Sequence, residues 1–386
     1  MTDIRIPLSS PDITESEIAA VNEVLRTPSL SLGPRLPELE RAFAAWHGAA
    51  EAVAVSSGTA ALHLAVRACG ITRGDEVITT PFSFVASVNA ILYEGGVPVF
   101  VDIDSDSLNL DPARIESAIT PRTRAILPVH VFGRPAAMPA ILDIARRRGL
   151  SVIEDACEAL GAEVAGRRAG TLGRAGVFGF YPNKPMTTGE GGMLVTDDAG
   201  VARLCRSLRN HGREDDTFQH ARLGYNYRLP ELSCALGLAQ VRRLDEILAR
   251  RADVARRYDA RLAGLSDVVR PALEIPDGRV GWFAYVIRLR EGLGAAARDR
   301  VIDGLRARGI GCQRYFAPLH LQPHVQAVTG HDRGAFPIAE SVAEKTIALP
   351  FFGALTDNQL DEVVDGVRSV VWLIAGRRLT PMDLVP

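Results

Sequence analysis

Residues 176–196 read GVFGFYPNKPMTTGEGGMLVT. An apolar run at 177–181 predicts a strand, Pro182 ends it, and Gly189-Glu190-Gly191-Gly192 forms a turn before a second strand at 193–196. Such a turn lets backbone approach a bulky ligand. At the centre stands Lys184, one of two lysines in the chain with Lys345; the other 42 basic residues are arginine. A lysine kept among so many arginines suggests chemistry that arginine does not do. A primary amine can lose its proton and form an imine, whereas guanidinium stays charged and is a poor nucleophile. Taken alone, Lys184 is equally a surface lysine beside a hairpin.

Upstream of this stretch, short apolar strands alternate with helices. Strands are expected at 52–55, 76–80, 97–101, 125–131 and 151–154, with helices at 60–66, 83–92, from Asp111-Pro112 onward, and 137–148. This alternation predicts a largely parallel sheet covered on both faces, with ligands beyond the carboxyl ends of its strands. Ser57-Gly58-Thr59, Asp155 and Lys184 all fall at such ends. Before the sheet, Thr14 and Glu17 form a capping box for a helix at 15–26 whose apolar face is Ile18, Val21, Val24 and Leu25. Leu36, Leu39, Phe43 and Trp46 mark a second helix. After it come a helix at 199–208, a polar loop through Asn210-His211-Gly212-Arg213, and a long helical region at 231–262. The last part has a strand signal at 282–289 and helices near 298–308 and 359–371. The expected division is a large domain at 1–250 and a smaller one at 251–386.

Composition narrows the function classes. There are 44 basic and 46 acidic residues among 386, a net charge of -2, which recommends neither nucleic acid nor an anionic membrane as partner. No signal-peptide pattern and no run of membrane-spanning length is read. The five cysteines are scattered with no C-x-x-C pair, as expected of small buried hydrophobes in a reducing cytoplasm. No G-x-G-x-x-G follows a strand, no phosphate-loop lysine motif occurs, and the histidines lack metal-ligand spacing. Nicotinamide, nucleoside-triphosphate and zinc chemistry are therefore disfavoured.

Three features carry the positive reading. Ser57-Gly58-Thr59, between strand and helix, offers free amides and two hydroxyls to an anion, although capping alone explains such a turn. Asp155 can cap a helix or hold a ring nitrogen protonated. With the amine of Lys184, these are the parts that pyridoxal phosphate (PLP) requires. The segments SSGTAAL (56–62), TPFSFVASVNAI (80–91), PVHVFGRP (128–135), IEDACEALGA (153–162), FGFYPNKPMTTGEGG (178–192) and LGYNYRL (223–229) closely resemble the DegT/DnrJ/EryC1/StrS family of PLP-dependent sugar aminotransferases. The matches come in family order over nearly the whole chain.

The resemblance implies fold type I of PLP enzymes: a three-layer α/β/α large domain with a mostly parallel seven-stranded sheet, plus a smaller α+β C-terminal domain. It implies that Lys184 forms the Schiff base and carries a proton between donor and cofactor, and that Asp155 pairs with the pyridinium nitrogen. Ser57, Gly58 and Thr59 would bind phosphate, and Phe84 would cover the ring. Gly179 stands where many members have a phosphate-binding serine. Glu158 stands where the family usually has glutamine or histidine near the ring hydroxyl; a carboxylate there is either protonated or turned to substrate. Asn226 and Arg228 match G-x-N-x-R, which in the family reaches the partner subunit's site, Asn226 toward phosphate and Arg228 toward anionic substrate. In RYFAPLHLQP (314–323), His320 and Tyr315 would contact substrate, although Tyr315 also reads as core. The implied enzyme is a cytoplasmic homodimer moving an amino group from L-glutamate to a keto-sugar, with a nucleotide-linked 4-keto-6-deoxy sugar favoured. Amination at C3 or of a keto-inositol, a PLP-dependent dehydratase of the same family, and a non-catalytic regulatory protein are the alternatives.

Overall fold

A computed structural model describes residues 4–214 and 218–374. Its central sheet has seven strands in the spatial order Glu51–Val55, Gly192–Thr196, Ala175–Gly179, Ser151–Asp155, Thr123–Leu127, Glu76–Thr79, Val97–Phe100. Gly192–Thr196 is antiparallel to both neighbours, and the remaining pairings are parallel. The mostly parallel seven-stranded sheet is thus observed. Burial on both faces follows from the apolar runs. In the first strand Val53 and Val55 join the cluster under helix Gly58–Ala68, while Ala52 and Ala54 join Phe43, Phe178 and Met193 on the other side. The same alternation separates Val177 from Phe178 and Leu194 from Val195, as the two-residue period of a strand requires.

Several expected elements differ in extent. The strand expected through Val131 stops at Leu127, because Pro128 cannot donate to the ladder and the chain turns into a short 3-10 helix, Val131–Gly133. The segment expected as a strand to Tyr181 ends at Gly179. The helix expected from Ser83 begins at Ala86. The long region 231–262 is two helices, Glu231–Arg242 and Leu244–Leu262, broken at Arg243. In Glu15–Leu25 the capping box forms, yet of the expected apolar face only Val24 is buried, and Ile18 and Leu25 are exposed. Glu17 is buried instead, bonded to Gln240 and Arg243 at 3.0 and 2.8 Å. Burial pushes its carboxyl up, but the hydrogen bonds from Thr14, Arg243 and Gln240 outweigh that and bring it down to about 2.

A three-stranded antiparallel sheet, Val268–Val269, Tyr285–Leu289 and Thr346–Leu349, forms the second layer system. Helices Leu244–Leu262, Ala295–Ala307 and Asp357–Ile374 supply its core. Helix Leu244–Leu262 runs unbroken through 250/251: Leu244 packs with the large sheet, and Val254, Tyr258 and Leu262 pack with the small one. Buried Arg251 on that helix donates to the carbonyls of Trp282 and Phe283 at 2.8 and 2.6 Å, tying the helix to the segment that leads into Tyr285–Leu289. Among the described residues no helix is long and apolar enough to cross a membrane.

Candidate active site

The carboxyl ends of the parallel strands open into a cavity of about 520 Å³. Ser57, Gly58, Thr59, Phe84, Asp155, Glu158, Gly179, Lys184 and Tyr315 all line it. Of the residues predicted for the chain's own site, only His320 is absent from this lining.

Helix Gly58–Ala68 points its N-terminus into the cavity. Ser57 is its cap, accepting from the Ala60 amide at 3.0 Å. The first turn leaves the Gly58 and Thr59 amides without intrahelical acceptors, facing an opening that favours negative charge. Glycine at 58 is needed for space: a Cβ there would lie 3.1 Å from Gly179 Cα and 3.2 Å from Cys157 Sγ. The glycine-rich turn serves the same packing. A Cβ on Gly192 would come within 2.5 Å of the Ser57 carbonyl, so the antiparallel strand lies directly behind the anion turn. Its glycine is there for backbone-to-backbone contact, while Glu190 and Gly191 face the cavity.

Asp155 is buried at the end of its strand and held from two sides. Ser87 donates to Oδ2 at 2.6 Å and the Cys157 amide to Oδ1 at 3.1 Å. Both bonds fix its aim. Sequence reasoning missed Ser87, which sits in the first turn of helix Ala86–Tyr93 and also bonds at 3.1 Å to Ser83 in the preceding loop.

Lys184 lies in a turn, its amide bonded to the Tyr181 carbonyl at 2.9 Å. Its side chain is 14% exposed and the ammonium sits 3.8 Å from the centroid of the Phe283 ring, a favourable cation–π contact. Lys184 Nζ is also 3.8 Å from Glu158 Oε1. Glu158 Oε2 accepts the Phe132 amide at 3.0 Å. Burial pushes the Glu158 carboxyl above its ordinary range; the Lys184 ammonium and the Phe132 amide pull the other way without overcoming it. Phe283, missed from the sequence, is carried in from the small sheet's side and stacks on Tyr315 at 6.2 Å with 4° between planes. Phe84 stands at the mouth, 60% exposed.

His320 is corrected. It is fully buried, Nε2 lies 3.0 Å from Glu340 Oε1, and its ring packs on Phe336. Proline on both sides of its segment folds Leu319–Leu321 into a short 3-10 helix directed at the core.

Asn226 and Arg228 do not line the cavity of their own chain. Arg228 donates to Asn210 Oδ1 at 3.1 Å, while Asn226 is exposed. The flanking residues are anchored inward. Tyr225 and Tyr227 stack at 4.9 Å, Tyr225 donates to Glu94 at 3.1 Å, and the Tyr227 hydroxyl is 3.0 Å from His63. Alternation along this extended segment turns Asn226 away from the body of its own chain.

The profile of the DegT/DnrJ/EryC1/StrS aminotransferase family matches residues 11–368. GDP-perosamine synthase of Caulobacter vibrioides is 40% identical over 375 residues, covering 96% of this chain and 100% of that one. The solved structure of DesV of S. venezuelae, in complex with a ketimine intermediate, superposes with a TM-score of 0.87 at 38% identity, covering 95% of each chain. The PLP-form of the Streptococcus pneumoniae protein Spr1654, called a putative sugar aminotransferase, gives a TM-score of 0.91 at 29% identity, covering 97% of this chain and 100% of that one. With the sheet order and cavity above, these matches establish that the chain belongs to the DegT/DnrJ/EryC1/StrS aminotransferase family.

Proposed function

We propose that the protein transfers the amino group of L-glutamate to a nucleotide-linked keto-sugar, a 4-keto-6-deoxy sugar being the favoured acceptor. As a member of this family it is a PLP-dependent aminotransferase. The observation that carries the reading is Lys184, a part-buried amine between Phe283 and Glu158, in one cavity with Asp155 and the Ser57–Thr59 turn.

The residues fit PLP. Two helix-terminal amides suit a phosphate, the Gly58–Gly179 approach leaves backbone rather than side chains at that end, and Asp155 offers a fixed carboxylate. When bound, PLP supplies an electrophilic carbonyl and an electron-accepting ring. Lys184 Nζ would provide the amine that holds it, and as a free amine the same nitrogen would be the base for the proton at the donor's Cα. Asp155 would hold the ring nitrogen in its protonated form. Phe84 covers the mouth. Phe283 and Tyr315 wall off water on the far side, which strengthens each of these charge interactions.

In this reading the working unit is a homodimer, and Asn226 and Arg228 complete the partner's cavity; the outward turn of Asn226 between two anchored tyrosines supports it. The relative named GDP-perosamine synthase supports a nucleotide-linked sugar as acceptor. Lys184 itself favours transamination over the dehydratase alternative, since members of that branch can carry histidine there.

The test is spectroscopic. Adding L-glutamate to the PLP-loaded protein shifts absorbance from the visible band to the near-ultraviolet band of the aminated cofactor, and a GDP- or dTDP-linked 4-keto-6-deoxy sugar then restores the visible band. A band indifferent to glutamate would overturn the donor. A glutamate response with no keto-sugar able to reverse it would overturn the acceptor. For the shared site, mixing inactive Lys184→Ala with inactive Asn226→Ala protein is expected to restore up to about a quarter of wild-type activity, as random pairing of subunits leaves one intact cavity in half the dimers. No recovery after subunit exchange would count against it.

A further inference from the structure

A second cavity, of about 270 Å³, lies between the loop after Val97–Phe100, the Val131–Gly133 turn and the small sheet. It shares no lining residue with the Lys184 cavity. The two stand back to back across one extended segment. Phe283 faces Lys184, while Trp282, Ala284, Val286 and Arg288 face the second cavity, the two-residue period of extended chain. Phe132, whose amide holds Glu158, lines it as well.

Three arginines line this space against a single acid, Asp106. Arg270 is paired with Asp259 at 2.5 Å. Arg134 and Arg288 are different: they donate to the backbone carbonyls of Asp106 and Ser105 at 3.0 and 2.6 Å, and neither makes a direct carboxylate ion pair among the described residues. Both are partly withdrawn from water; burial lowers the Arg288 pKa against the opposing pull of the Asp106, Glu291 and Asp104 carboxylates, none of which pairs with it directly. The opposite wall is apolar, made by Trp282, Val280 and Val286. Two of the cavity's bulky residues, Leu108 and Phe132, hold positive φ of 62° and 54°, a strained conformation that tends to mark functional sites.

We propose that this cavity is a second ligand site, taking a phosphate-bearing small molecule held by Arg134 and Arg288. Guanidinium groups match phosphate oxygens in paired hydrogen bonds, and an anion there would give both arginines a direct ionic partner in addition to the backbone carbonyls they now bond. The volume equals that of roughly nine waters, more than a bare phosphate needs, and the apolar wall suits a ring attached to it.

The experiment is calorimetric titration of the PLP-loaded protein, whose Ser57–Thr59 turn is already filled, with inorganic phosphate, ribose 5-phosphate and GDP. At least one is expected to bind at one site per chain, and the Arg134→Gln/Arg288→Gln variant to bind it about tenfold or more weakly with its visible band intact. Equal binding of all three would identify free phosphate as the sufficient ligand; preference for an ester would identify the ring-bearing source. No binding to wild type, or undiminished binding to the variant, would overturn the proposal. Should the double variant fail to fold, Arg134→Gln alone is read by the same criterion. The outcome is independent of the glutamate response, so failure here leaves the aminotransferase reading untouched.

Discussion

Lys184→Ala protein is expected to fold normally and to lose turnover by at least about 10⁴-fold, at the upper end of what a positioned proton-transfer group contributes and with the covalent anchor removed as well. The visible band of the loaded protein should shift toward that of free PLP and be lost on dialysis. Folding survives because of Glu158. In the wild type its buried carboxyl is pushed up by desolvation and pulled down by the Lys184 ammonium. Without that ammonium the pull disappears and the carboxyl takes a proton, which still leaves an oxygen to accept the Phe132 amide. The sign of the pH dependence follows. A carboxyl whose folded pKa is raised contributes stability that is fully present below its ordinary value and lost as pH rises through the raised one. Cofactor-free Lys184→Ala should therefore have a Tm that falls on going from pH 4.5 upward more steeply than that of Lys184→Ala/Glu158→Gln. Identical Tm profiles would sink the account of Glu158, and wild-type turnover by Lys184→Ala would sink the catalytic assignment.

Asp155→Asn is the second large effect. The substitution is nearly isosteric, and an asparagine oxygen can still accept from Ser87 or from the Cys157 amide, so packing at this buried strand end is kept. What it removes is a full negative charge opposite the position proposed for the ring nitrogen. At about 4 Å and an effective dielectric constant near 20, such a pair is worth about 4 kcal/mol, or about a thousandfold in rate. The expected result is kcat for the glutamate half-reaction down about 10³-fold, with the covalent visible band still present because Lys184 is untouched. A loss of tenfold or less would mean that Asp155 acts chiefly as a cap for the Cys157 amide. Ser87→Ala offers an internal check: it removes one of the two donors that aim the carboxylate, and its loss should be smaller and in the same direction.

Much of this site was legible in one dimension. Lys184 stood out because arginine cannot do its chemistry, and the Ser57–Thr59 turn because any strand-to-helix junction with small residues exposes helix-terminal amides. Strand-end positions were readable from the alternation of apolar runs, which is local. Phe283, Ser87 and Cys157 were not readable in the same way. Each is an unremarkable apolar or small residue whose role comes from what the fold sets opposite it, across more than 60 residues for Ser87 and Asp155. His320 misled because histidine near a cavity-lining segment suggests contact, whereas the two prolines around it and the Glu340 carboxylate turn it into the core.

Glycine spacing had a comparable limit. The 189–192 turn was evident, but that Gly192 makes room for the Ser57 backbone depends on Gly192–Thr196 inserting antiparallel beside Glu51–Val55. The sequence by itself determined the alternating α/β pattern, the reactive amine and the anion turn, since these rest on local periodicity and on the intrinsic chemistry of side chains. Only the tertiary structure decided the strand order, the burial that raises the Glu158 carboxyl, the meeting of Lys184 with Phe283, and the two arginines behind it that bond backbone carbonyls instead of carboxylates. Those depend on which distant segments become neighbours, and that is settled by the packing of whole faces.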